Sequence, residues 1–137
     1  MPTKKRSIDL TAVSEKIFQF IDERDWVQFH SPKNLSMSIA IEAAELMEHF
    51  QWNNSAAESA AVLDDKTKRR AIEDEIADIA IYLLDFCYLY NIDLEKVIAA
   101  KLEKNIEKYP AGLSKGKSDK YTSYQTNASR PFHNQRQ

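Results

Sequence analysis

Two pairs of carboxylates, Glu42/Glu45 and Glu75/Asp78, interrupt stretches that are otherwise apolar and helical in period, and they constrain this chain more than any other feature. Between residues 35 and 47 the only charges are Glu42 and Glu45, and between residues 76 and 90 the only charges are Asp78 and Asp85. At 100° per residue, Leu35, Ile39, Leu46 and Phe50 share the side of one helix that carries Glu42. Ile72, Ile79, Tyr82 and Phe86 share the side of the next that carries Glu75 and Asp78. An i,i+3 spacing projects both members of each pair from one face. Gathering four ionised carboxylates on core-facing surfaces is costly unless a positive partner compensates them. For clustered oxygens that partner is a hard divalent cation, Mg²⁺ or alternatively Mn²⁺. The competing account puts each pair at a helix edge, salt-bridged to Lys or Arg. Two matching pairs on consecutive apolar helices favour the metal.

At 137 residues the chain is long enough for one domain with a single core. Two glycines and four prolines are too few turn-formers for an all-β fold and suit long helices. The net charge of −2 hides an asymmetry. Taking the five bases and one acid of residues 111–137 from totals of 19 and 21 leaves 14 and 20, so residues 1–110 carry −6. An acidic body is not built to hold a nucleic-acid backbone by charge, so no nucleic-acid partner is expected. It suits a protein that binds cations and meets an anionic ligand as a metal complex. Cys87 is the only cysteine, which excludes an internal disulfide, and its apolar surroundings read as packing rather than nucleophilic chemistry. The Lys4-Lys5-Arg6 cluster has no apolar run behind it, and the longest apolar stretch, residues 79–90, is too short to span a bilayer. The expectation is a cytoplasmic protein without membrane contact.

The apolar period predicts four long helices. The first covers residues 9–24, with Leu10, Val13, Ile17 and Ile21 at 3–4 spacing. After a connector over residues 25–33, Ser31-Pro32 supplies an N-cap and a first-turn proline for the second helix, carried by residues 35–50. Asn53, Asn54 and Ser55 break it, and an alanine-rich piece over residues 55–63 forms a short extra helix. A charged stretch, residues 64–70, leads into the third long helix, which ends near Tyr90. Asp93 caps the fourth, residues 94–108, and Pro110 and Gly112 stop it. The domain is expected to occupy residues 1–112, with residues 113–137 a polar tail in which Tyr121, Tyr124 and Phe132 are available for docking. The result is an all-α, four-helix domain. Met37 and Ile41 on the second helix, and Ala77 and Tyr88 on the third, lie opposite the core-facing sides. Helices apolar nearly all round are normally covered on both sides, so an oligomer is expected.

The order Glu42-Ala43-Ala44-Glu45, a spacer, then Glu75-Ile76-Ala77-Asp78 resembles the ExxE…ExxD signature of the MazG-type all-α nucleoside triphosphate pyrophosphohydrolases. Residues 23–30 (Glu-Arg-Asp-Trp-Val-Gln-Phe-His), Asn34-Leu35, Phe50-Gln51-Trp52, Ile81-Tyr82-Leu83 and residues 105–110 (Asn-Ile-Glu-Lys-Tyr-Pro) resemble segments of the dCTP pyrophosphatase branch. The resemblance covers roughly residues 10 to 112, apart from the spacer between Asn53 and Arg70. It implies cleavage between the α and β phosphates of dCTP or a modified pyrimidine nucleotide, giving a monophosphate and pyrophosphate, in nucleotide-pool house-cleaning. It further implies that Glu42, Glu45, Glu75 and Asp78 are the metal ligands, and one of them, assigned here to Glu42, takes the proton of the attacking water. Lys101 and Asn105, an i,i+4 pair on the fourth helix, match family positions that contact the triphosphate, and Tyr109 joins them. Trp26, Trp52 and Tyr82 match aromatics that enclose the base, with His30 and Asn34 nearby. A tetramer built from two dimers is the assembly the resemblance implies. The sequence departs from the pattern at Ile17, where the branch usually has a base-proximal His, and at His49, where it has an apolar residue.

Two readings compete. A carboxylate-bridged di-iron bundle requires an ExxH pair on each of two helices, and none exists, because Glu45 is followed at i+3 by Glu48 and Glu75 by Asp78. A non-catalytic nucleotide sensor or interaction module remains the alternative, with the basic tail as its contact.

Overall fold

The computed structural model describes residues 9–118, and every regular element among them is helical. The elements are α1 (Leu10–Asp22), α2 (Pro32–Glu48), α3 (Ala56–Ala61), α4 (Lys66–Leu89), α5 (Leu94–Lys108) and α6 (Ala111–Ser114). Short 3₁₀ turns occupy Val27–Phe29 and Val62–Asp64. The all-α reading holds, and the four long helices and the short alanine-rich one lie where the periodicity and breakers put them.

Caps fix the starts. Asp9 accepts from the backbone N–H of Ala12, Ser31 from that of Asn34, and Ser55 from that of Glu58, each satisfying a first-turn donor that the helix itself leaves open. Pro32 follows Ser31 in the first turn of α2, where its missing N–H costs nothing. One boundary differs from the sequence expectation. The charged stretch does not precede the third long helix but forms its first turns, because the Asp65 carboxylate accepts from the N–H groups of both Thr67 and Lys68, at 2.9 and 3.0 Å. Arg69 and Glu73, one turn apart, then pair at 3.0 Å along the exposed flank.

Two compact units divide at Asp93/Leu94. In the first, α4 is the central element: α2 packs along it and α1 packs on it as well. Ile21, Leu35, Ile72, Leu84 and Cys87 are the buried apolar residues of this packing. Cys87 packs as a small hydrophobe, with burial pushing its thiol up. Met37 and Ile41 on α2, and Ile76, Leu83 and Tyr88 on α4, are exposed, so both helices keep an apolar outer face. The second unit contains α5 and α6. The polar tail of residues 113–137 lies outside the described residues from residue 119 on, so its docking aromatics do too; its first residues belong to α6. No helix among the described residues is long and apolar enough to cross a membrane.

Candidate functional site

The packing of α2 on α4 sets the two carboxylate pairs against each other. Glu42, Glu75 and Asp78 each offer an oxygen, and the three oxygens lie within 4.8 Å of one another. Glu45, one turn from Glu42 on the same face, lies close enough for its charge to raise both Glu42 and Glu75. All four acids singled out in the sequence therefore come together, and they do so within the first unit. They are less buried than the apolar stripes suggest: Glu42 and Glu75 are half-buried and Glu45 is exposed. Leu35 and Ile72 on the same stripes are buried, whereas the acids keep access to solvent.

Electrostatics mark the cluster as short of positive charge. The Glu42 carboxyl is raised above its ordinary value of 4.5, first by desolvation and then by the charges of Glu45, Asp78 and Glu75. Glu75 is raised too, again by desolvation first and then by Glu45, with a further push from Asp78. Every charged group that shifts either residue is another carboxylate. The salt-bridge account, which needs a Lys or Arg beside each pair, thus finds no support at Glu42 or Glu75. Among the described residues, His49 is the basic side chain paired with an acid of the cluster: its Nε2 lies 3.9 Å from Glu75 Oε1, the outer limit of an ion pair and beyond a hydrogen bond. Converging carboxylate oxygens that repel one another suit a hard divalent cation, which takes oxygen donors and would remove that repulsion.

The aromatic candidates are distributed around this unit. Tyr82, half-buried, follows Asp78 by four residues on the same side of α4. Trp52 sits in the turn after α2 and is 82% exposed, which rules out a role as core packing within the chain. Trp26 is 43% exposed and meets the edge of Phe20 in a T-shaped contact at 5.7 Å, while the Arg24 guanidinium covers the Phe20 ring at 3.8 Å. The described ring contacts of Trp26 include neither Trp52 nor Tyr82. His30 is not a free loop residue: its Nδ1 lies 2.6 Å from Asp85 Oδ2. Asn34 donates through Nδ2 to the Phe29 carbonyl at 2.9 Å and so closes the connector onto the start of α2. In the second unit, Lys101 and Asn105 line a shallow groove of about 500 Å³ with Val97, Ile98 and Leu102. Tyr109 follows one turn after Asn105, its N–H bonded to the Asn105 carbonyl at 2.9 Å.

Sequence reasoning passed over Asp85. Its 1% exposure makes it the one charged side chain buried among the described residues. The signal was available, since Asp85 is one of only two charges in residues 76–90, but its partner lies 55 residues away and no local pattern announces it.

Comparison with known proteins bears on the family and the fold. A model of the MazG-like family matches residues 37–123, a span that contains all four clustered acids. The dCTP pyrophosphatase 1 of Rattus norvegicus is 38% identical over 104 residues, which are 76% of this chain and 61% of the rat protein. That of Homo sapiens is 36% identical over the same shares. The chain thus spans about 61% of the length of the curated relatives it matches. Among solved structures, a pyrophosphatase from Archaeoglobus fulgidus DSM 4304 superposes with a TM-score of 0.71 at 39% identity, over 79% of this chain and 98% of that one. With a family model matched over residues 37–123 and relatives more than 30% identical over 76% of the chain, this chain belongs to the MazG-like family.

Proposed function

We propose that this protein hydrolyses the α–β phosphoanhydride of a deoxynucleoside triphosphate, dCTP or a modified pyrimidine nucleotide, to the monophosphate and pyrophosphate. The observation that carries the reading is the convergence of Glu42, Glu75 and Asp78 oxygens within 4.8 Å, with Glu45 beside them, in a chain similar to dCTP pyrophosphatases. Glu42, Glu45, Glu75 and Asp78 hold Mg²⁺, or Mn²⁺ in its place. When bound, the cation neutralises phosphate charge and acidifies water. Glu42 accepts the proton of the attacking water as a carboxylate at the edge of the cluster. Lys101, Asn105 and Tyr109 bind the phosphates with charge and hydrogen-bond donors, leaving the protein mainly positioning and electrostatic work. Trp26, Trp52 and Tyr82 enclose the base by stacking, and His30 and Asn34 support it through the connector. The exposed apolar faces of α2 and α4 support self-association, to a tetramer built from two dimers, because Met37, Ile41, Ile76, Leu83 and Tyr88 would otherwise stay in water. The working place of such a nucleotide-pool enzyme is the cytoplasm.

A screen of canonical and modified triphosphates with Mg²⁺, reading pyrophosphate and orthophosphate separately, tests the activity. Pyrophosphate should be released and EDTA should stop it. Orthophosphate as first product overturns α–β cleavage, and tight binding without turnover establishes the sensor reading instead.

A further inference from the structure

Asp85 is buried at 1% exposure, and burial of a carboxylate is unfavourable unless something specific answers it. Its Oδ2 lies 2.6 Å from His30 Nδ1, whereas Oδ1 has no hydrogen-bond partner among the described residues. His30 is held at a second point, because the Tyr90 hydroxyl donates to its backbone carbonyl at 2.9 Å. Both anchors stand on the C-terminal part of α4 or just past it, and His30 ends the connector that carries Trp26. That connector has its own internal bonds, Phe29 N–H to the Trp26 carbonyl and His30 N–H to the Val27 carbonyl, so fixing His30 fixes the turn as a unit. Asp85 follows Asp78 by seven residues, which returns it to nearly the same side of α4, about 10 Å further along the axis. Tyr82 lies between them. The pair therefore lays the Trp26-bearing turn along the same stripe of α4 that carries the acidic cluster.

An apolar pair of similar volume would usually be at least as stable at such a position as a buried Asp–His pair. We infer that Asp85 and His30 form a positioning clasp, which holds the connector over residues 25–31 in the one conformation that presents Trp26 to the base of the nucleotide. The clasp acts through Trp26 and touches neither metal nor phosphate, and it rests on the functional reading given above. It accounts for His30 more economically than direct base contact, since its Nδ1 is committed to Asp85.

Asp85→Leu removes the carboxylate at similar volume, and Asp85→Asn keeps the acceptor for His30. Amide hydrogen exchange over residues 26–30 reads the clasp without any nucleotide. KM and kcat for dCTP with Mg²⁺ read its consequence, with Trp26→Ala measured alongside. Asp85→Leu should quicken exchange over residues 26–30 and raise KM on the order of tenfold while kcat changes little. Asp85→Asn should restore most of both, and the melting temperature of Asp85→Leu should stay near that of wild type. Unchanged exchange in Asp85→Leu overturns the clasp whatever the activity. Quickened exchange with unchanged KM, when Trp26→Ala raises KM, overturns its role in binding but leaves the functional reading standing. If the wild-type protein turns over no nucleotide, the functional reading fails, and the exchange data still decide whether the pair orders the connector.

Discussion

Replacing Glu42 by Gln should stabilise the metal-free protein and destabilise it, relative to wild type, once Mg²⁺ is present. Gln has the shape of Glu and removes only the charge, so no cavity opens. The converging oxygens lie within 4.8 Å, and two unit charges at that separation repel by about 0.9 kcal/mol in a water-like dielectric. Glu42 is only half-buried, so the stronger repulsion of a dry interior does not apply, and salt screens part of what remains. Summed over its acidic neighbours and discounted for screening, the relief is about 1 kcal/mol. Less desolvation of charge acts in the same direction. For a chain of 137 residues 1 kcal/mol corresponds to a rise in Tm of about 3–4 °C. Mg²⁺ at a hundred times its Kd adds about 2.7 kcal/mol to the wild type, and little to a variant that has lost a ligand and reduced the cluster's charge. The two proteins should therefore exchange order: the variant melts higher with EDTA and lower with saturating Mg²⁺, and it loses turnover. Thermal melts of both proteins in both conditions decide the matter. A variant that melts well below metal-free wild type, or one that keeps the full Mg²⁺ shift and its activity, refutes the account of the cluster as a cation site.

Trp52→Ala should weaken nucleotide binding by roughly 1–3 kcal/mol, the range for one lost base stack, with the Mg²⁺-induced rise in Tm unchanged; a lower Tm with unaltered nucleotide affinity, read by calorimetry, would make Trp52 an assembly contact instead. The pH dependence of metal-free stability should have two opposed limbs. Glu42 and Glu75 are raised above 4.5, so the folded state holds more protons than the unfolded one, and their contribution to stability falls as pH rises through the window above 4.5. Asp65 is lowered from 3.8 chiefly by the N–H groups of Lys68 and Thr67, so its contribution is present above 3.8 and is lost as pH falls below it. Melting curves from about pH 3 to about pH 8, a range that brackets the reference values of free carboxyls, should show Mg²⁺ flattening the upper limb only; an upper limb insensitive to Mg²⁺ would separate the titrating acids from the cation site.

Much of this molecule is written locally. Ser31 before Pro32, Ser55 before the alanine run, and the 3–4 period through Leu10, Ile17 and Ile21 specify helices whose signals span no more than a few turns. The i,i+3 spacing of Glu42/Glu45 and Glu75/Asp78 likewise puts each pair on one face, because helix geometry alone decides it. The start of α4 departs from the expectation because composition reads residues 64–70 as a charged linker, whereas two backbone N–H groups on one Asp65 oxygen cap a helix that begins at Lys66.

The set of helices, the pairing of acids within each and the kinship of the whole are thus legible in the order of residues. Packing between helices brings the pairs together across α2 and α4, and leaves them short of full burial. It also decides that Asp85 spends its buried charge on a histidine 55 residues away. A helical period carries information over about four residues, but the distance between side chains on different helices depends on how those helices pack. That packing is settled by the fit of Leu35, Ile72 and Leu84 against their neighbours, and no single residue or spacing encodes it.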